Sequence, residues 1–270
     1  MDERLIFYGN IVAKVITDRQ ASILVCGGGI RDKETFDALG FLNVTISNLD
    51  SRMESNQYKP YGWIRENISD LSLADNEYDY VVVHAALHHC RSPHRALTEM
   101  YRVARRAVLA FEARDSAVMR ILENLNLTQT YECTAVFFND CKFGGVENSD
   151  VPNFVFRWTE REVRKTIQSY NPVAEHKIRF FYATGIPSSA SAEKKGLAKR
   201  FFLSALKPFY ILFVRIFPKQ QNLFAFYIEK PILPDDLFEW LQFNQITGSV
   251  NFNSKWAHER YIQADGKQQK

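Results

Sequence analysis

At 270 residues and 31.3 kDa the chain is long enough to bury one sizeable α/β core with embellishments. A net charge of +3, with no long basic run in the first half, gives no ground for a nucleic-acid partner, and the 46% apolar and 24% charged composition is that of an ordinary soluble globular protein. Cys26, Cys90, Cys133 and Cys141 stand far apart without a CxxC pair, which excludes a zinc ribbon and a disulfide framework and suits a reducing cytoplasm. The first residues carry Asp2, Glu3 and Arg4 within an otherwise apolar stretch, so no signal peptide is expected there.

Along the chain, Ser22 to Cys26 is a short apolar run that stops at Gly27, Gly28 and Gly29, and Lys33 to Leu39 then has helical character until Gly40. Val44 to Leu49 reads as a second strand ending at Asp50, and Tyr80 to Val83 as a buried strand introduced by the turn-forming Asp75-Asn76-Glu77. Pro93 to Ala104 carries Ala96, Leu97, Met100, Tyr101 and Ala104 on one helical stripe, and Ala107 to Phe111 returns as a strand. Strands alternating with helices in this way imply right-handed crossovers and a largely parallel sheet.

Beyond it, Arg114 to Leu127 is expected to be helical, Phe137 to Asn153 loop-rich, and Thr159 to open a helix with Glu160 and Glu162 in its first turn. Two more strands are expected around His176 to Tyr182 and Leu223 to Ile228, with Ser188 to Gln221 between them, too long for a hairpin loop. The polar tail after Ala264 is expected to fray.

The glycine turn at a strand end is where a parallel sheet takes nucleotide-like ligands, because a backbone without Cβ atoms permits close approach. Asn48 and Asp50 fall about twenty residues on, at the end of the second strand, where a side chain accepts hydrogen bonds from ribose hydroxyls. A dinucleotide fingerprint wants a further glycine where this chain has Asp32, a carboxylate at the place of a pyrophosphate. S-adenosylmethionine (SAM) has no phosphate and carries an ammonium and a sulfonium, so an acid near the turn costs it nothing.

The run Ile23-Leu24-Val25-Cys26-Gly27-Gly28-Gly29, then Asp50, then Asp70 to Val82, then Leu87-His88-His89, then Glu99-Met100-Tyr101-Arg102-Val103 and the strand to Glu112, resembles the class I SAM-dependent methyltransferases of the ubiquinone-biosynthesis type, type 11. The resemblance implies a Rossmann-like fold of seven mostly parallel strands with helices on both faces. It places SAM across Gly27, Gly28 and Gly29, its ribose near Asn48 and Asp50, and its adenine near Asn67, Ile68 and Asp70. Arg31 stands where the family has its third motif glycine, Val25 where it has an acid in the first strand, and Asn67 where it has the acid at the adenine.

His84, His88, His89 and Cys90 follow the Tyr80 to Val83 strand, at the edge where an acceptor would meet the methyl group. Methyl transfer from a sulfonium is an in-line displacement that needs proximity and, for a hydroxyl acceptor, a base, for which His88 or His89 is the first choice. The alternative is that His88 packs and His89 starts the next helix. His84 and His88 share i,i+4 spacing, but without nearby carboxylates they make an incomplete metal site, and no metal is assigned. Glu112 either faces this cleft or pairs with Arg114. The Phe143 to Trp158 segment, with Gly144-Gly145 and Pro152, reads as an acceptor-binding lid or, through Phe154, Phe156 and Trp158, as an ordinary strand.

The expected organisation is a methyltransferase domain over 1–183 and 222–232, a basic and aromatic insertion over 184–221, and a C-terminal extension over 233–270. Within 194–219, lysines and arginines punctuate Phe201-Phe202-Leu203, Phe209 to Val214 and Ile216-Phe217. The apolar stretches are too broken to cross a membrane, and they suit either peripheral membrane contact or packing on protein. The expected activity is SAM-dependent methylation, with oxygen preferred, of a small molecule, a sugar or a lipid-linked acceptor in the cytoplasm or at a membrane. The rivals are a non-catalytic SAM-fold scaffold and an NAD-linked oxidoreductase.

Overall fold

The computed structural model describes residues 3–185 and 208–262. A seven-stranded sheet runs β3-β2-β1-β4-β5-β7-β6, built from β1 (Ile23–Cys26), β2 (Val44–Ser47), β3 (Gly62–Ile64), β4 (Tyr78–His84), β5 (Ala104–Ala113), β6 (Ile178–Ala183) and β7 (Leu223–Glu229). The first five strands are parallel, and β7 is antiparallel to both β5 and β6. This is the Rossmann-like architecture the alternating pattern implied. The two strands expected on either side of the insertion are both present, and they pair antiparallel, with Ile178 opposite Ile228 and Ala183 opposite Leu223.

Strand alternation divides the core between the two faces. Ile23 and Val25 of β1 join Tyr8, Val12, Ile16, Phe36 and Phe41 on the face covered by α1 (Glu3–Val15) and α2 (Ile30–Ala38). Leu24 and Cys26 join Leu97, Met100, Trp158, Val163 and Ile167 on the face covered by α3 (Pro93–Val103) and α6 (Glu160–Tyr170). Both of these later helices are capped by their own sequence. Ser92 accepts from Arg95 N with Pro93 in the first turn, and Thr159 and Glu162 form a reciprocal capping box.

Two expectations need correcting. The helix expected over Arg114 to Leu127 is only α4 (Ala117–Asn124), because β5 runs on to Ala113, Arg114 bridges to Trp158, and Ser116 supplies the cap by accepting from Met119 N. Phe154 to Trp158 is no strand, since Phe154 and Trp158 make only isolated bridges to Tyr131 and Arg114. The Phe137 to Asn153 stretch is loop-rich as expected; a short helix, α5 (Cys133–Phe137), precedes it, and Tyr131 and Phe154 bridge on either side. Neither β3 nor α1 was foreseen.

Of the insertion, 186–207 lie outside the described residues, and with them Lys194, Lys195, Lys199, Arg200 and Phe201 to Lys207. A helix over 208–216, α7, is described, and no helix among the described residues is long and apolar enough to cross a membrane. The C-terminal extension carries a hairpin of β8 (Leu241–Phe243) and β9 (Val250–Phe252), then α8 (Ser254–Ala257). The tail after Ala264 lies outside the described residues.

Candidate active site

The chain leaves β1 for β2 on one side of the sheet, while β4 lies on the other, so the carboxyl ends of β1 and β4 flank the switch point where such sheets bind ligands. Cys26 is in register with Ser47 and Val83, which brings the glycine turn, Asn48 and His84 to one edge. Gly27 is left-handed, φ +61, and a Cβ there would lie 2.5 Å from that of Ala86 and 3.3 Å from Ile68 Cδ1. The turn therefore packs against the loop after β4 and against Ile68. Gly28 N donates to Ser47 O, and a Cβ at Gly29 would meet nothing within 4 Å. The open side of the turn is at Gly29.

Asp32 completes the turn. Its Oδ2 accepts from Gly29 N at 2.8 Å, while Oδ1 is buried with no hydrogen-bond partner among the described residues, 4.0 Å from His84 Nδ1. Burial raises the Asp32 pKa, and the bond from Gly29 and the nearby His84 oppose that rise. A buried carboxylate beside an open glycine turn, with Tyr8 and His84 as its neighbours, is unfavourable to a pyrophosphate and compatible with the positive charge of SAM. Val25, where the family has its acid, is buried in the core, and Arg31 lies exposed on the first turn of α2.

Other predicted cofactor residues are placed unevenly. Asn48 braces the turn, its Nδ2 donating to Gly28 O at 2.9 Å and its Oδ1 accepting from Asp50 N. Asp50 is buried and held by Arg52 through Nε and the terminal guanidinium nitrogen at 2.6 Å, which keeps its pKa below the usual carboxylate range. Asn67 turns its Oδ1 to Ser69 N, and Ile68 packs on the turn. Asp70 is not brought to the turn: the tight Asn67–Asp70 bridge sends its side chain outward, 79% exposed, to pair with Arg95 on α3. The glycine turn, Asp32 and Asn48 thus offer backbone, carboxylate and amide groups that fit SAM, while Asp50 is engaged by Arg52 through both oxygens.

The histidines separate. His84 ends β4 and stacks on Tyr8 of α1 with ring centroids 4.3 Å apart. Ala85 then takes a left-handed turn, φ +53, and Leu87–His89 form a 3-10 turn on the other side. The i,i+4 relation of His84 and His88 is therefore not helical, and the two rings face different groups. His88 is buried instead between two carboxylates. Glu112, one residue before the end of β5, accepts from Leu87 N through Oε1 at 2.8 Å and holds His88 Nδ1 through Oε2 at 2.6 Å. Glu132, at the N-terminus of α5, brings its Oε2 to 3.4 Å from His88 Nε2 and 3.2 Å from His89 Nε2.

Burial disfavours the charged His88 imidazole, but attraction and hydrogen bonding to Glu112, joined by Glu132, overcome it and lift its pKa to about 10. The same contacts with His88 and His89 hold Glu132 well below the usual carboxylate range against its own desolvation. Glu112 therefore faces the cleft and does not pair with Arg114, which binds Glu160 at 2.7 Å. The expectation that no carboxylate stands near the histidines is overturned, since two do. Glu112 was legible from its place at a strand end. Glu132 was not, because it arrives from a loop whose path is set by contacts remote in sequence, Glu132 N to Asn153 O and Arg157 to Gln129 O. The same segment closes on the loop after β2, where Arg52 bonds Asn139 and lies over the Phe143 ring, and on the histidine loop through Arg91 and Glu147.

Residues 24–111 match the family model described as a methyltransferase domain. No curated protein is significantly similar in sequence. Among solved structures, the YcgJ protein of Bacillus subtilis superposes with a TM-score of 0.52 at 10% identity, covering 85% of this chain and 98% of that one. A chain from the Haloferax volcanii complex of the Trm112 methyltransferase activator with a methyltransferase gives 0.51 at 11% identity, covering 85% and 90%. A SAM-dependent methyltransferase of Methanosarcina mazei gives 0.50 at 13%, covering 82% and 97%. At such identities the structural likeness establishes the fold, and the family match together with the phosphate-averse glycine turn carries the activity. Over residues 24–111 the chain is similar to the type 11 methyltransferase domain, and that match, on a Rossmann-like methyltransferase fold, supports a SAM-dependent methyltransferase.

Proposed function

We propose that the protein methylates an oxygen of a small-molecule acceptor, and that the His89–Glu132 side of the histidine cluster binds the acceptor's hydroxyl and makes it nucleophilic. The observation that carries this reading is the cluster itself: two imidazoles and two carboxylates drawn together at the carboxyl ends of β4 and β5, beside the glycine turn. SAM, when bound, supplies the electrophilic methyl group, held by Gly27, Gly28 and Gly29 with Asp32, Asn48 and Asp50. Asn67 and Ile68 line the adenine side, and Asp70 stays at its rim.

What the chain's own residues contribute is position and charge. Glu112 is a positioning residue, fixing the His88 ring through Nδ1 and the histidine loop through Leu87 N. His88, engaged by Glu112 at Nδ1 and by Glu132 at Nε2, is held in place and is not the residue that takes the acceptor's proton in this arrangement. His89 has one such partner, Glu132, and side-chain exposure of 28%, so it is the histidine an acceptor reaches. The Phe143 to Trp158 segment, as a lid, excludes water from the hydroxyl. Replacing His89 by Ala is expected to lower kcat by about 10²–10⁴ while SAM affinity, measured by calorimetry, stays within about threefold. Full turnover, or loss of SAM binding instead, rejects this role.

A second feature supports membrane contact and a lipid-linked acceptor. Phe209, Leu212, Phe213 and Ile216 of α7 fall at helical spacing on one stripe and are all exposed, as are Phe217, Arg215 and Lys219. An outward apolar stripe flanked by cations suits the boundary of an anionic bilayer. Co-sedimentation with anionic vesicles tests it.

A further inference from the structure

We propose that His88, His89 and Glu132 bind a divalent transition-metal ion of the zinc class, with an open coordination position facing the acceptor; this rests on the acceptor reading above. His88 Nε2, His89 Nε2 and a Glu132 oxygen lie within 4.8 Å of one another, a grouping that occurs at no other place among the described residues. A tetrahedral ion with bonds of about 2.0–2.2 Å needs ligand atoms about 3.3 Å apart. The two imidazole-to-carboxylate separations here are 3.4 and 3.2 Å. The two histidine nitrogens, which lie within 4.8 Å of each other, are brought to that spacing by rotation of the partly exposed His89 ring.

The surroundings are those of a built metal site. The Glu112–His88 Nδ1 bond at 2.6 Å fixes the ring so that Nε2 points to the shared centre, the carboxylate–histidine arrangement that orients and strengthens an imidazole ligand. Glu112 is itself anchored by Leu87 N. Glu132 is fixed by its backbone bond to Asn153 O, and Asn153 Nδ2 lies 3.4 Å from the same Oε2. Two imidazole nitrogens, with His88 releasing its Nε2 proton as the ion binds, and one carboxylate favour zinc-like ions over magnesium or calcium, which prefer oxygen. Three protein ligands, as opposed to four, are the pattern of a site that leaves a position for water or a substrate oxygen. There an acceptor hydroxyl would bind the ion and become more acidic.

The test uses the full chain, freed of metal by a chelator and titrated with Co²⁺, whose visible absorption reports coordination. One equivalent is expected to bind, with affinity falling at least about tenfold in His89→Ala and Glu132→Gln, and by about 10–100-fold in Glu112→Gln, which removes no ligand. Calorimetric SAM binding by each variant verifies that it is folded. No uptake of Co²⁺ or Zn²⁺, or equal affinity in wild type and variants, overturns the proposal. The two readings fail separately: chelator-insensitive methyl transfer that His89→Ala abolishes removes the ion and leaves the acceptor site. Stoichiometric Co²⁺ binding lost in the variants, with turnover untouched by His89→Ala, supports the ion and removes the acceptor site.

Discussion

At Gly27 the backbone is left-handed and the space a Cβ would need is taken by Ala86, whereas at Gly29, φ −133, nothing stands within 4 Å. One turn thus contains a glycine required by the fold and a glycine required, in this reading, by the ligand. Gly27→Ala is expected to destabilise the protein by about 2–4 kcal/mol through backbone strain and overpacking, seen as a lower Tm. Gly29→Ala is expected to leave stability within about 0.5 kcal/mol and to weaken SAM binding about tenfold, since its methyl points to open space at the turn. Equal effects of the two substitutions on Tm would contradict this division. The same residue-level logic separates the histidines: His84 belongs to the Tyr8 stack, His88 to its carboxylates, and His89 to the cleft.

Among the elements, α7 inverts the usual amphipathic rule. Its apolar stripe looks outward, while Val214, 2% exposed, faces in. Pelleting with anionic vesicles is expected to fall severalfold when Phe213 and Ile216 are replaced by Ser, with the fold unchanged because both side chains are already exposed. Pelleting unaffected by that replacement refutes membrane contact through α7. The contrast with α3 and α6 is instructive. Their stripes are buried in the core and their caps, Ser92 and the Thr159–Glu162 box, are local, so both were legible in the sequence to within a residue or so. α1 and β3 were not. Its apolar positions Tyr8, Ile11, Val12 and Val15 identify α1 only once a sheet exists to cover, and β3 is a three-residue edge strand without alternation to read.

For the molecule as a whole, Lys230 ties the end of β7 to the far side of the sheet from the cleft. Its Nζ donates to Asn76 Oδ1 at 2.7 Å and Ala104 O at 2.6 Å, over the Tyr101 ring. Burial, with Arg102 nearby and only Asp75 in opposition, lowers its pKa from 10.5 to about 8. The unfolded chain therefore binds this proton more tightly than the folded one, so Lys230's contribution to stability is largest above pH 10.5 and is lost as pH falls through about 8. Denaturant unfolding of wild type is expected to show stability rising between pH 8 and 10.5 relative to Lys230→Met. Parallel pH profiles would show that this lysine is not depressed.

The sequence by itself determined the sheet class, the glycine turn with Asp32 beside it, the acid after β2 and the presence of histidines after β4, because strand periodicity, glycine and charge act locally. Glu112 was visible for the same reason, as a polar residue at the end of an apolar strand. Only the tertiary structure decided which histidine meets which carboxylate, that Asp50 is held by Arg52, and that Asp70 faces away. It also decided that Glu132 completes the cluster. The distances that make a site are set by packing between segments dozens of residues apart, and no period or spacing in the chain records them.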